Sequence, residues 1–405
     1  MSVPNGWELK RLEELCLPDA PITYGVLKPG DFYQGGIPLL QIKDLRDGEV
    51  ITNDLHLISP ALDEEYRRSR IIKDDILISL VGTIGRIAKY RSAADANIHR
   101  NIGRIRSEIH EYLYHFLVSS RAQNEIGGSS SGSSQSALNL STLRSIKIPV
   151  PPLPEQKKIA LILSTWDKAI TTTEQLLHNS QQQKKALMQQ LLTGKKRLLD
   201  KNGVRFSGEW KEVRLKSVLR EVKTRNKDNS IDRVLSVTNH SGFVLPEDQF
   251  SKRVASDDVS NYKVVKNGEY GYNPSRLNVG SFARLDSYEE GLLSPMYVVF
   301  SVNEKLLNSD YFMNWMSSNE AKQRISGSTQ GSVRDSVGFD SLCGFPFKLP
   351  PMEEQQKIAA VLSTADQEIS ALQQKLEALK QEKKALMQQL LTGKRRVKID
   401  DKEVA

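Results

Sequence analysis

Two sets of side chains in this sequence are suited to reading a polyanionic, hydrogen-bonding surface. The first set is Lys43, Arg46, Arg86, His99, Arg100, Asn101 and Arg104. The second is Tyr272, Asn273, Arg276, Asn278 and Arg284. Arginine and lysine pair with guanine edges, asparagine and glutamine with adenine edges, and any of them with phosphate. For each cation alone, a solvated surface charge is the competing reading. Two Ser/Gly-rich segments accompany the sets. One runs over 128–135 and carries Ser130 and Gln135; the other runs over 327–334 and carries Gln330 and Arg334. Small residues let a loop approach a backbone closely, although a plain flexible loop has the same composition.

Catalytic constellations are missing by comparison. Gly82-Thr83-Ile84-Gly85 lacks the Lys-Ser/Thr of a phosphate-binding loop and the third glycine of a dinucleotide fingerprint, so it reads as a turn. Tyr272-Asn273-Pro274-Ser275 has part of an Asn-Pro-Pro-aromatic methyltransferase motif, without the second proline, the aromatic or a glycine-rich cofactor loop. The six histidines show no metal-binding spacing, and no GxSxG elbow occurs. Cys16 and Cys343 form neither a disulfide framework nor a CxxC pair, which suits a reducing cytoplasm. These readings predict no catalytic residue, no metal site and no cofactor bound by this chain.

The elements that hold these side chains are organised by an internal repeat. KKALMQQLLTGK occurs at Lys184–Lys195 and again at Lys383–Lys394, 199 positions on. At the same offset, Pro151-Pro152-Leu153-Pro154-Glu155-Gln156 matches Pro350-Pro351-Met352-Glu353-Glu354-Gln355, and Gly128-xxx-Gly132-Ser133 matches Gly327-xxx-Gly331-Ser332. The two halves open alike, on Trp7 with Leu12 and on Trp210 with Leu215. A solenoid repeats every ~20–50 residues, so this period marks two domain-sized halves. Between the shared ends the halves diverge, as expected of one scaffold presenting two different surfaces.

Length and composition agree. The chain has 405 residues, 39% hydrophobic and 26% charged, enough for two or three globular domains. No apolar run approaches the ~18 residues of a membrane helix. The net charge of +8 favours a polyanionic partner.

Each interior reads as α+β. Strands are expected over 37–42, 75–80, 86–88 and 297–300, with 268–274 and 279–283 filling the place of the second and third in the other half. Short helices are expected over 108–121 and 310–325. After the proline clusters come two long helices with an apolar seam at alternating spacings of four and three. The first seam carries Ile159, Leu163, Trp166, Ile170, Leu177, Leu187 and Leu191; the second carries Ile358, Leu362, Ile369, Leu372, Leu376, Leu379, Leu386 and Leu390. Gly194 and Gly393 stop them. A helix over 155–192 is roughly 57 Å long and needs a partner along its stripe. Its own copy is the nearest, the alternatives being a cap on each domain core or pairing between chains. Antiparallel pairing with ends in register sets Lys383 beside Trp166 and Lys184 beside Ala365.

The order of these motifs resembles the specificity subunit of type I restriction–modification systems. The resemblance rests on Ile148–Gln156 and Phe347–Gln355, on Gly36-Ile37-Pro38-Leu39-Leu40 with Lys43-Asp44, and on Gly82–Gly85, and it covers essentially the whole chain. It implies two similar α/β target-recognition domains, at 1–150 and 199–349. Two long antiparallel coiled-coil helices, in regions 151–198 and 350–397, join and separate them with pseudo-twofold symmetry; a charged tail fills 398–405. It also implies a non-catalytic subunit that binds double-stranded DNA, each target domain reading one half of an asymmetric bipartite site. Its partners would be methyltransferase subunits, two in number, and ATP-driven endonuclease subunits of a phage-defence system. Those partners, not this chain, would use S-adenosylmethionine, ATP and Mg2+. A related methylation-only system, or a coiled-coil scaffold without DNA specificity, are the alternatives.

Overall fold

The computed structural model describes residues 3–46, 48–128, 137–248, 258–329 and 336–399. It divides into two compact units. One comprises Met1–Glu174 with Gln374–Ala405, the other Gln175–Gln373. The division falls inside both long helices, Leu153–Leu191 and Met352–Leu390, each of 39 residues. Each unit therefore holds the first half of one helix and the second half of the other. Among the described residues no helix is long and apolar enough to cross a membrane.

The first unit is built on a six-stranded sheet ordered Thr23–Tyr24, Ile102–Ile105, Ile76–Ser79, Ile87–Lys89, Gly48–Val50, Leu45–Arg46. A smaller sheet sets Ile37–Leu40 between His56–Ile58 and Asn97–Ile98. The second unit has a four-stranded sheet ordered Leu219–Glu221, Val298–Val302, Tyr270–Tyr272, Phe282–Arg284. Among the described strands, pairing is antiparallel except between Ile37–Leu40 and Asn97–Ile98 and between Gly48–Val50 and Ile87–Lys89. Each unit is thus an α+β assembly, since a parallel α/β sheet would need repeated helical crossovers.

In both units a strand at the start pairs with the strand that feeds the long helix. Glu8–Arg11 pairs with Lys147–Val150, and Lys211–Arg214 with Pro346–Leu349. The helices expected over 108–121 and 310–325 are each two. His110–Val118 is followed by Ser120–Gly128, and Ser309–Met316 by Asn319–Thr329. Apolar periodicity continues through both breaks, but Ser119 Oγ accepts from Ala122 N and Ser318 Oγ from Ala321 N, starting a new helix.

None of the fifteen seam residues is exposed. Ile159, Leu163, Leu191, Ile358, Leu362, Leu376 and Leu390 are buried; the others are half-buried. In the first unit Lys383 Nζ donates to Asp167, the neighbour of Trp166, and Lys380 pairs with Glu174 at 2.8 Å. In the second, Lys184 Nζ donates to Asp366, the neighbour of Ala365.

Each unit also carries a three-residue clasp. In the first, Glu155 at the helix start accepts from Trp7 Nε1 at 3.1 Å and from Arg396 Nε and Nη2, both at 2.7 Å. The guanidinium lies 5.8 Å from the Trp7 ring centre and also donates to Asn5 O at 3.0 Å. In the second, Glu354 accepts from Trp210 Nε1 at 3.0 Å and from Arg197 Nε and Nη2 at 2.6 and 2.7 Å. Both carboxylates are buried, which only such saturation with donors makes tolerable. Each clasp joins the start of a domain, the start of one long helix and the segment just after the other.

Candidate nucleic-acid interface

In the first unit the parallel pairing of Leu39 with Asn97 and Leu40 with Ile98 decides where the basic residues go. Both strands end at the same edge of their sheet. Residues 41–44 and 99–101 therefore leave together, bringing Lys43, His99 and Arg100 to one end, and Arg46 follows on the edge strand Leu45–Arg46. His99 N donates to Leu40 O at 2.9 Å, and Arg100 N to Val26 O at 2.9 Å. The 41–44 turn is held by side-chain hydrogen bonds. Asp44, buried, accepts from Gln41 N at 2.8 Å, and burial raises its pKa. Arg46 Nε donates to Lys43 O at 3.1 Å, leaving both side chains exposed.

Arg86 serves that turn instead of facing out. Its Nη1 donates to Ile42 O at 3.2 Å and Leu45 O at 2.9 Å. Asn101 is half-buried, and its carbonyl accepts from Leu80 N at 2.8 Å. His99 is half-buried, and its desolvation, with Arg100 beside it, lowers its pKa. Arg104 corrects the expectation. It is 4% exposed, with Nη2 bonded to Pro21 O at 2.9 Å, and burial lowers its pKa. Its side chain holds the sheet and presents nothing to a ligand.

In the second unit the candidates sit on the connection between strands Tyr270–Tyr272 and Phe282–Arg284. Asn273 caps the 3-10 helix Pro274–Val279 by accepting from Ser275 N at 3.0 Å, and Arg276 and Asn278 are exposed on it. Tyr272 is the second correction. It is fully buried, edge-on to Phe300 at 6.1 Å, because its strand is covered on both faces. Arg284 is engaged by Asp286 at 2.6 Å and Asp310 at 2.7 Å.

Ser130, Gln135, Gln330 and Arg334 lie outside the described residues. Their flanks are fixed alike. Leu138 N donates to Leu80 O at 2.7 Å and Val337 N to Pro274 O at 3.0 Å, so in each unit the first described residues after the segment are tied to a strand-to-strand connection. Phe32 and Tyr33, 60% and 49% exposed, were not anticipated. An aromatic pair among Gly, Pro and Asp was the available signal, and exposed rings suit base stacking.

Asp74, His110 and Glu111 bring ligand atoms within 4.8 Å of one another. Lys89, fully buried, places its ammonium against both carboxylates, at 3.2 Å from Asp74. The cluster thus holds the cation it needs.

A family model described as the type I restriction modification DNA specificity domain matches residues 4–179 and 257–381. The chain belongs to this family. It is 26% identical to the putative type I restriction enzyme MjaX specificity subunit of Methanocaldococcus jannaschii over 98% of this chain and 95% of that one. It is 36% identical to the type I restriction enzyme EcoBI specificity subunit of Escherichia coli, over 39% of this chain and 34% of that one. The fold matches the type I restriction–modification S subunit from M. genitalium with a TM-score of 0.58 at 13% identity, covering 96% of this chain and 98% of that one.

Proposed function

We propose that this chain is the DNA-recognition subunit of a type I restriction–modification complex and that its two units read the two halves of one split, asymmetric DNA site. The observation that carries this reading is the contrast within the repeat. Identical clasps and strand pairs frame unlike tips, basic Lys43, Arg46 and Arg100 in one unit and Asn273, Arg276 and Asn278 in the other. The two long helices pair antiparallel as a coiled coil, set the spacer between half-sites and dock two methyltransferase subunits. The target-recognition domains are 1–150 and 199–349, and endonuclease subunits complete the assembly in the cytoplasm. S-adenosylmethionine, ATP and Mg2+ act in those partners.

The test is to co-express the chain with its methyltransferase subunit and map methylated adenines in the host genome by single-molecule sequencing. Methylation at one split, asymmetric motif is the expected outcome. A stable complex that methylates no defined motif would instead support a scaffold without DNA specificity.

A further inference from the structure

Glu108 and Leu307 occupy equivalent positions in the two repeats, and their surroundings differ. Leu307 is fully buried in the core of the second unit, whereas Glu108 is exposed in the first. The adjoining hydrogen bonds differ to match. Asn308 N donates to Gln355 Oε1 at 2.8 Å, while Gln355 Nε2 donates to Leu306 O and Pro350 O, both at 2.9 Å. In the first unit Ile109 replaces Asn308, and its N–H turns to Ser107 Oγ at 3.3 Å. Gln156, the counterpart of Gln355 and only 7% exposed, donates Nε2 to Pro151 O at 2.7 Å. Its Oε1 is buried without a hydrogen-bond partner.

A pocket of about 450 Å³ opens at this place, lined by Tyr112, Gln156, Ala160 and Leu161, with Glu108 and Lys157 at its rim. Leu161 is 63% exposed, an unusual state for a leucine on a helix that buries its neighbours Ala160 and Leu163. Glu108 has no ion pair among the described residues. The second unit fills the matching position from its own chain, with an aliphatic side chain followed by a backbone N–H.

We infer that this pocket of the first unit receives a peptide segment of a methyltransferase subunit, one that carries an aliphatic side chain, a backbone N–H for Gln156 Oε1 and an adjacent basic residue for Glu108. The inference rests on the reading that the chain works beside such subunits, and adds that the two units engage them differently. A buried carbonyl oxygen without a donor gains most from a ligand that brings one. A pocket of this volume suits such an insert.

The test is assembly of the full-length chain with purified methyltransferase subunit, followed by analytical ultracentrifugation. Glu108→Leu supplies the plug residue in cis, and Leu161→Asp charges the lip; both positions are exposed, and thermal unfolding checks each fold. Both variants are expected to weaken assembly by about tenfold or more. Ala360→Asp, at the counterpart of Leu161, is expected to stay within about twofold of wild type, and Glu108→Gln, which loses only the charge for the basic residue, to weaken assembly by about two- to fivefold. Unchanged assembly of Glu108→Leu and Leu161→Asp overturns the pocket while leaving the subunit role standing. A wild-type chain that binds no methyltransferase subunit overturns both.

Discussion

Arg396 donates to both carboxylate oxygens of Glu155 at 2.7 Å across 241 positions of sequence. Glu155 is nearly inaccessible, so removal of its partner leaves a buried charge whose one remaining side-chain donor among the described residues is the Trp7 N–H. Arg396→Ala is expected to cost about 3 kcal/mol, and Arg197→Ala about the same in the second unit. Lysine at either position restores the charge but not the two-pronged geometry, and should recover part of the loss. Thermal unfolding with urea titration measures all four variants. A loss under about 0.5 kcal/mol for both alanine variants would place the clasps among ordinary surface pairs.

His115 makes stability depend on pH. The ring is 1% exposed and bonded to Ser164 Oγ at 3.1 Å, and burial, with Lys383 nearby, lowers its pKa to about 3. In the unfolded chain the imidazole titrates near ~6.5. Between those values the unfolded chain holds a proton that the native chain lacks, so stability falls as pH drops through ~6.5. The loss between pH 7 and pH 5 is about 2 kcal/mol. His115→Gln is expected to flatten that slope, measured by urea unfolding across the range.

Tyr272 hides a hydroxyl that has no hydrogen-bond partner. Tyr272→Phe is therefore expected to be neutral or to stabilise by about 1 kcal/mol, with DNA affinity unchanged. Loss of DNA binding without loss of stability would return this residue to the reading surface.

Lys43→Ala and Arg46→Ala should each weaken DNA binding at constant fold, since both side chains are exposed on a turn held by other residues. If they contact phosphate, the weakening is uniform across sequences and the salt slope falls by about one per residue. A base contact would instead relax specificity in one half-site. Fluorescence anisotropy of the assembled complex over a salt series separates the two.

The repeat made the frame legible. Identical helices, proline clusters and opening tryptophans predicted two units of one design, and apolar spacing found seam residues that the structure leaves unexposed. Trp7 and Trp210 stood out as openings and Glu155 and Glu354 as members of a repeated motif, yet their meeting with each other and with the arginines did not, because the clasp is made by residues far apart in sequence. Ser119 and Ser318 looked like interior helix positions because a cap of this kind does not interrupt apolar periodicity. Arg104 and Tyr272 were misplaced for one reason. A polar or amphipathic side chain in a short strand reads as a donor until the second covering layer is known. Gly25 shows the same dependence on distant atoms. A Cβ there would lie 1.6 Å from Ile98 O, which local sequence does not reveal.

The split helices also order events in time. Residues Gln175–Gln373 complete one unit from a single uninterrupted stretch, but the other unit needs Gln374–Ala405 to join Met1–Glu174. On a ribosome adding about 5–20 residues per second, the N-terminal segment waits roughly ten to forty seconds for the arginine that neutralises Glu155. The half synthesised first is thus the half finished last, and during that interval its helix lacks the C-terminal segment that completes the unit.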